Sequence, residues 1–291
     1  MRRMNMCVTY RTILLLACMI AFLPAIACAE VLHWWRFEEG AFLEDSVGGA
    51  PLIDRPDLPE VAVQVALPSG DRGQDFPVGF SGGYLNESAT DFLGNQLING
   101  MRANPTTTVD EDFTIEMFHH NDNFDAGRAD IVPLAIQAVF GAGSWSLFID
   151  TAAANGPELA LRIYGEGGTL IRSGISLQEN IDYYLGASFN LRGRRAQFYV
   201  QDLTNGGPLQ SIRKGHSATV LQPHPSFFIG SLVNHDVDQV TDGLIDEVRF
   251  SNHFMSEDEL LINNVVVPEP STCLILLLGT AMMFTNRQRV A

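Results

Sequence analysis

Apolar and polar side chains alternate with a period of two over many short stretches of this 291-residue chain. That is the signature of half-buried strands. The runs are Val31–Glu38, Phe113–His119, Ser144–Asp150, Leu159–Tyr164, Tyr183–Leu191, Gln197–Asp202, Ser226–Gly230 and Leu244–Phe250. Turn formers separate them: Asn155-Gly156-Pro157, Gly165–Gly168, Arg192-Gly193-Arg194 and Asn205-Gly206-Gly207. Helical periodicity is nearly absent. One short helix is expected near the end, where Ser256 and Glu259 form a capping box ahead of Leu260-Leu261. Many short strands around one core predict an all-β fold, a sandwich or jelly roll. Residues 54–110 are long and irregular and fit the pattern poorly.

The two ends break the alternation. Arg2, Arg3 and Arg11 precede an apolar run from Ile13 to Ile26, which ends in Ala27-Cys28-Ala29 before Glu30. This n/h/c layout predicts a signal peptide over 1–29. An uncleaved anchor and a lipoprotein modified at Cys28 are the alternatives; the second lacks the usual leucine three residues before the cysteine. At the other end, Val267-Pro268-Glu269-Pro270-Ser271-Thr272 leads into an apolar run from Cys273 to Phe284, then Arg287 and Arg289. A polar turn, a short apolar helix and a basic stop suit a sorting helix or marginal anchor. The segment 267–291 resembles the PEP-CTERM sorting signal. That resemblance implies processing by an exosortase-type enzyme and a Gram-negative-type host that makes a polysaccharide matrix. An ordinary tail anchor is the alternative.

Cysteine and charge sharpen the picture. Cys7, Cys18, Cys28 and Cys273 all lie in the two terminal segments. The region between has no disulfide to rely on, so its core must hold it together. It is long enough for one large core. Setting aside the five terminal arginines and Glu269 leaves 13 basic and 33 acidic side chains, a formal −20. Such a surface disfavours nucleic acid and anionic membranes as partners and suits cations or neutral ligands.

The order of segments over about 31–262 resembles the LamG-like jelly roll of the concanavalin A-like lectin/glucanase superfold. Leu32–Gly40 followed by Asp45-Ser46-Val47-Gly48-Gly49 is similar to that family's first strand and turn. Asp112–Met117 resembles its Phe-Thr-Ile-Glu strand, and Tyr183–Phe189 with Gln197–Val200 its central hairpin. Asp242–Phe250 followed by Ser256–Leu261 is the most specific match. Tyr183-Tyr184 departs from the family's tryptophan-histidine pair. The domain expected is 30–266.

Alternation places Trp35, Phe37 and Glu39 on one strand face, and Leu244, Asp246, Val248 and Phe250 on another. Carboxylates ending apolar stripes need partners. The resemblance implies neighbouring first and last strands and a structural calcium near Glu39, Gly40 and Asp246, on hard oxygen ligands. Hydrogen bonds to backbone amides or an arginine are the alternative. His235-Asp236-Val237-Asp238 with Asp242 is a second candidate calcium loop, or a solvated acidic one. His119 and His120, with Asp122 and Asp125, suit a single metal poorly, because adjacent strand residues face opposite ways. Arg192, Arg194 and Arg195 read as a basic hairpin tip, with anionic glycan as a weaker reading.

No Glu-x-Asp-x-x-Glu, Gly-x-Ser-x-Gly or His-Glu-x-x-His motif occurs. The expected function is therefore a non-catalytic surface or matrix protein whose lectin-like jelly roll binds polysaccharide or glycoprotein, with exposed aromatics on one face as its mark. A structural matrix protein without a small ligand and a diverged carbohydrate-active enzyme are the alternatives. Oligomeric state is not legible.

Overall fold

The computed structural model describes residues 30–37, 43–54, 65–66, 90–92, 101–124, 131–139, 142–165, 168–230 and 241–263. The terminal segments 1–29 and 267–291, Glu39, Gly40 and Asp125, and the loop His235–Asp238 lie outside them.

The described residues form fifteen strands. They are β1 (Val31–Trp35), β2 (Ile53–Asp54), β3 (Val65–Ala66), β4 (Thr90–Phe92), β5 (Met101–Ala103), β6 (Asp112–Asn121), β7 (Ile131–Val139), β8 (Ala142–Asp150), β9 (Glu158–Ile163), β10 (Thr169–Ser176), β11 (Asp182–Asn190), β12 (Arg195–Asp202), β13 (Gln210–Gly215), β14 (Phe227–Ile229) and β15 (Gly243–Ser251). One sheet runs β13-β12-β11-β6-β15-β4-β3, with β1 also on β15; the other runs β10-β9-β8-β7-β14-β5-β2. All pairings are antiparallel. The first and last strands are neighbours, through Trp34↔Arg249 and Trp35↔Val248. The all-β sandwich expected from the alternation is present, and residues 54–110 add β3, β4 and β5 to its edges.

Between the sheets lies an aromatic core. Phe113 stacks on Trp145 at 4.8 Å and on Phe189 at 5.4 Å, and Phe227 meets Trp35 at 4.8 Å. The indole N–H groups are satisfied: Trp35 Nε1 donates to Ala50 O at 2.9 Å, and Trp145 Nε1 to Gln137 Oε1 at 3.2 Å. Burying a large side chain of this kind is worth roughly 1.5–3 kcal/mol, so the interior compensates for the missing disulfides.

The register corrects one expectation. Leu244, Asp246, Val248 and Phe250 do not share a face. A bulge at Asp246–Glu247 shifts the pairing with β6, and Glu247 takes a left-handed φ of 50°. Ile245, Val248 and Phe250 face the core, whereas Leu244 packs in a separate cluster on the outer side. Asp246 is paired with Phe118 of that outer cluster. Simple alternation counts no extra residue, so it carries the wrong phase past the bulge. Gly243, where β15 starts, permits the close approach to β6, since a Cβ there would lie 2.1 Å from His120 O.

The Asp45–Gly49 turn is a cap built on one carboxylate. Asp45 Oδ1 accepts the N–H groups of Trp34, Val47 and Gly48 at 2.9–3.0 Å, and Oδ2 accepts that of Ala50 at 3.0 Å. Thr107 N donates to His33 Nε2 at 2.9 Å, so Nδ1 carries the proton and donates to Asp45 Oδ2 at 2.6 Å. Gly48 is required, because a Cβ there would lie 2.1 Å from Leu32 O. Burial pushes the Asp45 carboxyl up, but the bonds from His33 and from the Trp34, Ala50 and Gly48 amides outweigh it and take it down to about 2. A depressed carboxyl stabilises the fold above its unfolded value, near 4, and loses that contribution as pH falls toward 2. Asp45→Asn is expected to cost about 2 kcal/mol at pH 7 and to flatten the loss of stability between pH 4 and 2. Urea unfolding at both pH values checks this; an unchanged midpoint at pH 7 contradicts it.

Candidate functional site: a strapped sheet face and an arginine-bearing sheet face

A sandwich has two outer faces, and here they differ. Across the outer face of the β6-containing sheet runs a strap, residues 252–262. It includes a single 3-10 turn at Glu257–Glu259, shorter than the helix expected, although the capping box of Ser256 and Glu259 is present. Met255, Leu260, Leu261 and Ile262 bury themselves against Phe118, Tyr184, Tyr199 and Leu244.

Polar bonds stitch the strap down. Glu116 and Arg249, 0% and 2% exposed, form an ion pair across β6 and β15, with Arg249 Nε 2.5 Å from Glu116 Oε1. Glu116 Oε2 accepts the Leu261 N–H at 2.8 Å and the Tyr184 hydroxyl. The remaining guanidinium edge donates to Glu259 O at 2.8 Å. Tyr199 Oη donates to Met255 O at 2.7 Å, and Met255 N to Thr114 Oγ1 at 3.0 Å. Arg195 lies over the Phe254 ring at 4.5 Å. Burial, then the adjacent Glu116 charge, hold the Tyr184 hydroxyl well above the usual tyrosine range, so it serves as a donor. Glu116 and Arg249 stand in two of the segments on which the LamG-like resemblance was read, but strand spacing does not reveal that they are partners.

Of the residues expected to hold calcium, Asp246 is among the described residues. Asp246 is buried opposite Phe118 of β6, and its Oδ1 accepts the Glu247 N–H at 2.8 Å. Glu247 accepts the Trp34 indole N–H at 2.6 Å and faces Arg36 Nε at 3.3 Å. Glu39 and Gly40, the other residues of the expected calcium site, lie outside the described residues. His119 faces the core, where burial takes its imidazole down to about 4 while Nδ1 donates to Leu244 O at 3.0 Å. His120 faces the other way, onto Asp182 at 2.6 Å and Asp122 at 3.3 Å; the Asp182 bond raises its pKa. At the hairpin tip Arg192 pairs with Glu111, and Arg195 lies over the Phe254 ring. No group of three or more metal-ligating side chains stands together among the described residues.

The outer face of the β7-containing sheet has no counterpart to the strap among the described residues. Its strand register aligns one row: Leu170, Arg162, Ser146, Ile136, Phe228 and Arg102. The Arg162 guanidinium lies over the Phe148 ring at 5.4 Å. Tyr164 packs on Ile136 and Phe228, and its hydroxyl meets Ser146 Oγ at 3.2 Å. Ile136 and Phe228 are buried, whereas Arg162, Tyr164 and Arg102 are half-buried and form the upper layer. The exposed large apolar side chains among the described residues are Val47 and Val220, so the exposed aromatics expected of a sugar-binding face are not there. The aromatic surface on this face is instead half-covered and mixed with arginine. The strand Leu159–Tyr164 carries this signal as a lone arginine in an apolar run, but only the register shows what stands beside it.

No protein-family model matches the chain, and no curated protein matches it in sequence. Solved structures do match in shape. Domain 4 of AbnA, a GH43 extracellular arabinanase from Geobacillus stearothermophilus, in complex with arabinotriose, is similar with a TM-score of 0.52 at 12% identity, covering 82% of this chain and 99% of that one. The receptor-binding domain of botulinum neurotoxin type G is similar with a TM-score of 0.52 at 14% identity, covering 81% of this chain and 50% of that one. The fold shared with these domains is an all-β sandwich of two antiparallel sheets. At these identities the likeness is one of fold alone.

Removing one partner of a buried ion pair leaves the other charge uncompensated, at a cost of about 3–5 kcal/mol. Arg249→Met is expected to lower stability by that amount, and Glu116→Gln with Arg249→Met together by less than the sum of the singles. Urea unfolding of the three variants checks this; strictly additive losses contradict the coupling.

Proposed function

We propose that this chain is a non-catalytic glycan-binding module that works outside the cell, with its open sheet face as the recognition surface. The observation that carries the reading is the asymmetry of the sandwich. Among the described residues, one outer face is filled by the chain's own strap, and the other carries half-buried arginines and a tyrosine over a buried floor of Ser146, Ile136 and Phe228. Sugar sites combine an apolar surface for the ring with a few placed polar groups. The complex of the arabinanase domain with arabinotriose is a precedent for an oligosaccharide on this fold, and fold alone does not assign a ligand.

The reading includes the LamG-like assignment over 30–266 and the structural calcium at Glu39, Gly40 and Asp246, which would close the chain ends with hard oxygen ligands. A glycan panel probed with the full chain, with calcium and with chelator, is expected to give saturable binding and a higher melting temperature when calcium is present. Absence of binding in both conditions overturns the glycan reading; an unchanged melting temperature overturns the calcium site.

The terminal segments complete the proposal. Residues 1–29 act as an export signal, and residues 267–291 as a PEP-CTERM-type segment read by an exosortase-type enzyme, which delivers the domain to the surface or matrix. Intact mass of protein recovered from its native host is expected to show loss of residues 1–29 and cleavage near 267. A mass equal to the full chain contradicts it. A structural matrix role without a small ligand is the competing reading, and it predicts matrix retention without saturable sugar binding.

A further inference from the structure

The open face carries a charge pattern that narrows the ligand. The chain has a formal net charge of −16, yet Arg102, Arg162 and Arg172 all project from this one face. They are not equivalent. Arg172 is neutralised, at 2.7 Å from Asp150 and 3.8 Å from Glu158. Arg162 has no hydrogen bond or ion pair among the described residues; its contact is the Phe148 ring. Stacking on an aromatic fixes the guanidinium plane and leaves its N–H edge unused. A pre-oriented guanidinium fork matches a carboxylate in two parallel hydrogen bonds. A hydroxyl that a sugar needs beside that carboxylate is also present, on the half-buried Tyr164, and buried Ser146 positions it. Tyr164 lies two residues on in the same strand direction, and its Oη meets Oγ of Ser146, the residue paired with Arg162 in the register. The half-buried Tyr164 ring, seated on Ile136 and Phe228, offers an apolar face for the pyranose.

We propose that Arg162 and Tyr164, the latter positioned by the buried Ser146 hydroxyl, form a subsite for the carboxylate-bearing residue of an acidic, uronic-acid-type glycan. An acidic module would otherwise repel such a polymer, so a cation on this face determines where and how it docks. The proposal rests on the glycan-binding reading above and deepens it.

Calorimetric titration of the full chain with trigalacturonate and with its methyl ester tests it, since the two ligands differ mainly in charge. The acid is expected to bind about tenfold more tightly than the ester, the worth of one charge-assisted contact. Arg162→Gln is expected to erase that preference, leaving acid and ester within about twofold. Arg162→Lys, which keeps the charge but not the fork, is expected to fall between. Arg192→Gln, at the exposed hairpin tip, is expected to change neither. Equal binding of acid and ester by the unmodified chain overturns the subsite, as does a preference that survives Arg162→Gln in protein of unchanged melting temperature. Binding of other glycans with no binding of either trimer also overturns the subsite and leaves the glycan reading standing. Absence of binding to any glycan removes the reading on which the subsite rests.

Discussion

The buried pair Glu116–Arg249 is the constraint on which the rest of this molecule depends. Neither charge is stable away from water unless its hydrogen-bonding capacity is used. Both are used on the same thing. Glu116 takes the Leu261 amide and the Tyr184 hydroxyl; Arg249 takes the Glu259 carbonyl. Each charge therefore requires the strap to lie where it does, and the strap in turn keeps water from the pair. Met255, Leu260 and Leu261 add apolar burial to the same contact. A domain without cysteine between its terminal segments thus has a noncovalent fastening at its C-terminal end.

That fastening divides the surface. With the strap in place, the outer face of one sheet becomes interior, and the other sheet keeps the outer face on which the proposed recognition surface lies. There the strand register, rather than any loop, brings Arg162 beside Ser146 and Phe228 beside Arg102. Side chains on paired strands hold their spacing more firmly than side chains on loops. A glycan-binding role built on this row uses the rigid part of the fold.

Much of the architecture is legible in the sequence, and the gaps have physical causes. Strands with strict alternation, such as β6, β11 and β12, stand out at once. Others do not. β7 contains Pro133, which is tolerated because it sits where the pairing with β8 shifts. β10 is interrupted by Gly174 and is an edge strand, and β13 is a mostly polar edge strand. The candidate sites were less legible. The bulge at Glu247 inverts the face of Asp246 relative to Val248, so the apolar stripe that pointed to a buried acid was drawn through the wrong residues. Arg162 is visible as a charged residue in an apolar run, but its neighbours come from strands that only the three-dimensional pairing connects. The Asp45 turn is the opposite case: an Asp followed by two glycines encodes its own amide cage, and the motif and the geometry agree.

The central claim is that the strap is held as firmly as the strands beneath it. Native-state hydrogen exchange on the full chain measures this at two amides, Met255 bonded to Thr114 Oγ1 and Leu261 bonded to Glu116 Oε2. The account predicts that both exchange as slowly as the central amides of β6 and β11, opening only with global unfolding. Exchange at the rate of a fraying terminus, while β6 and β11 stay protected, would contradict it.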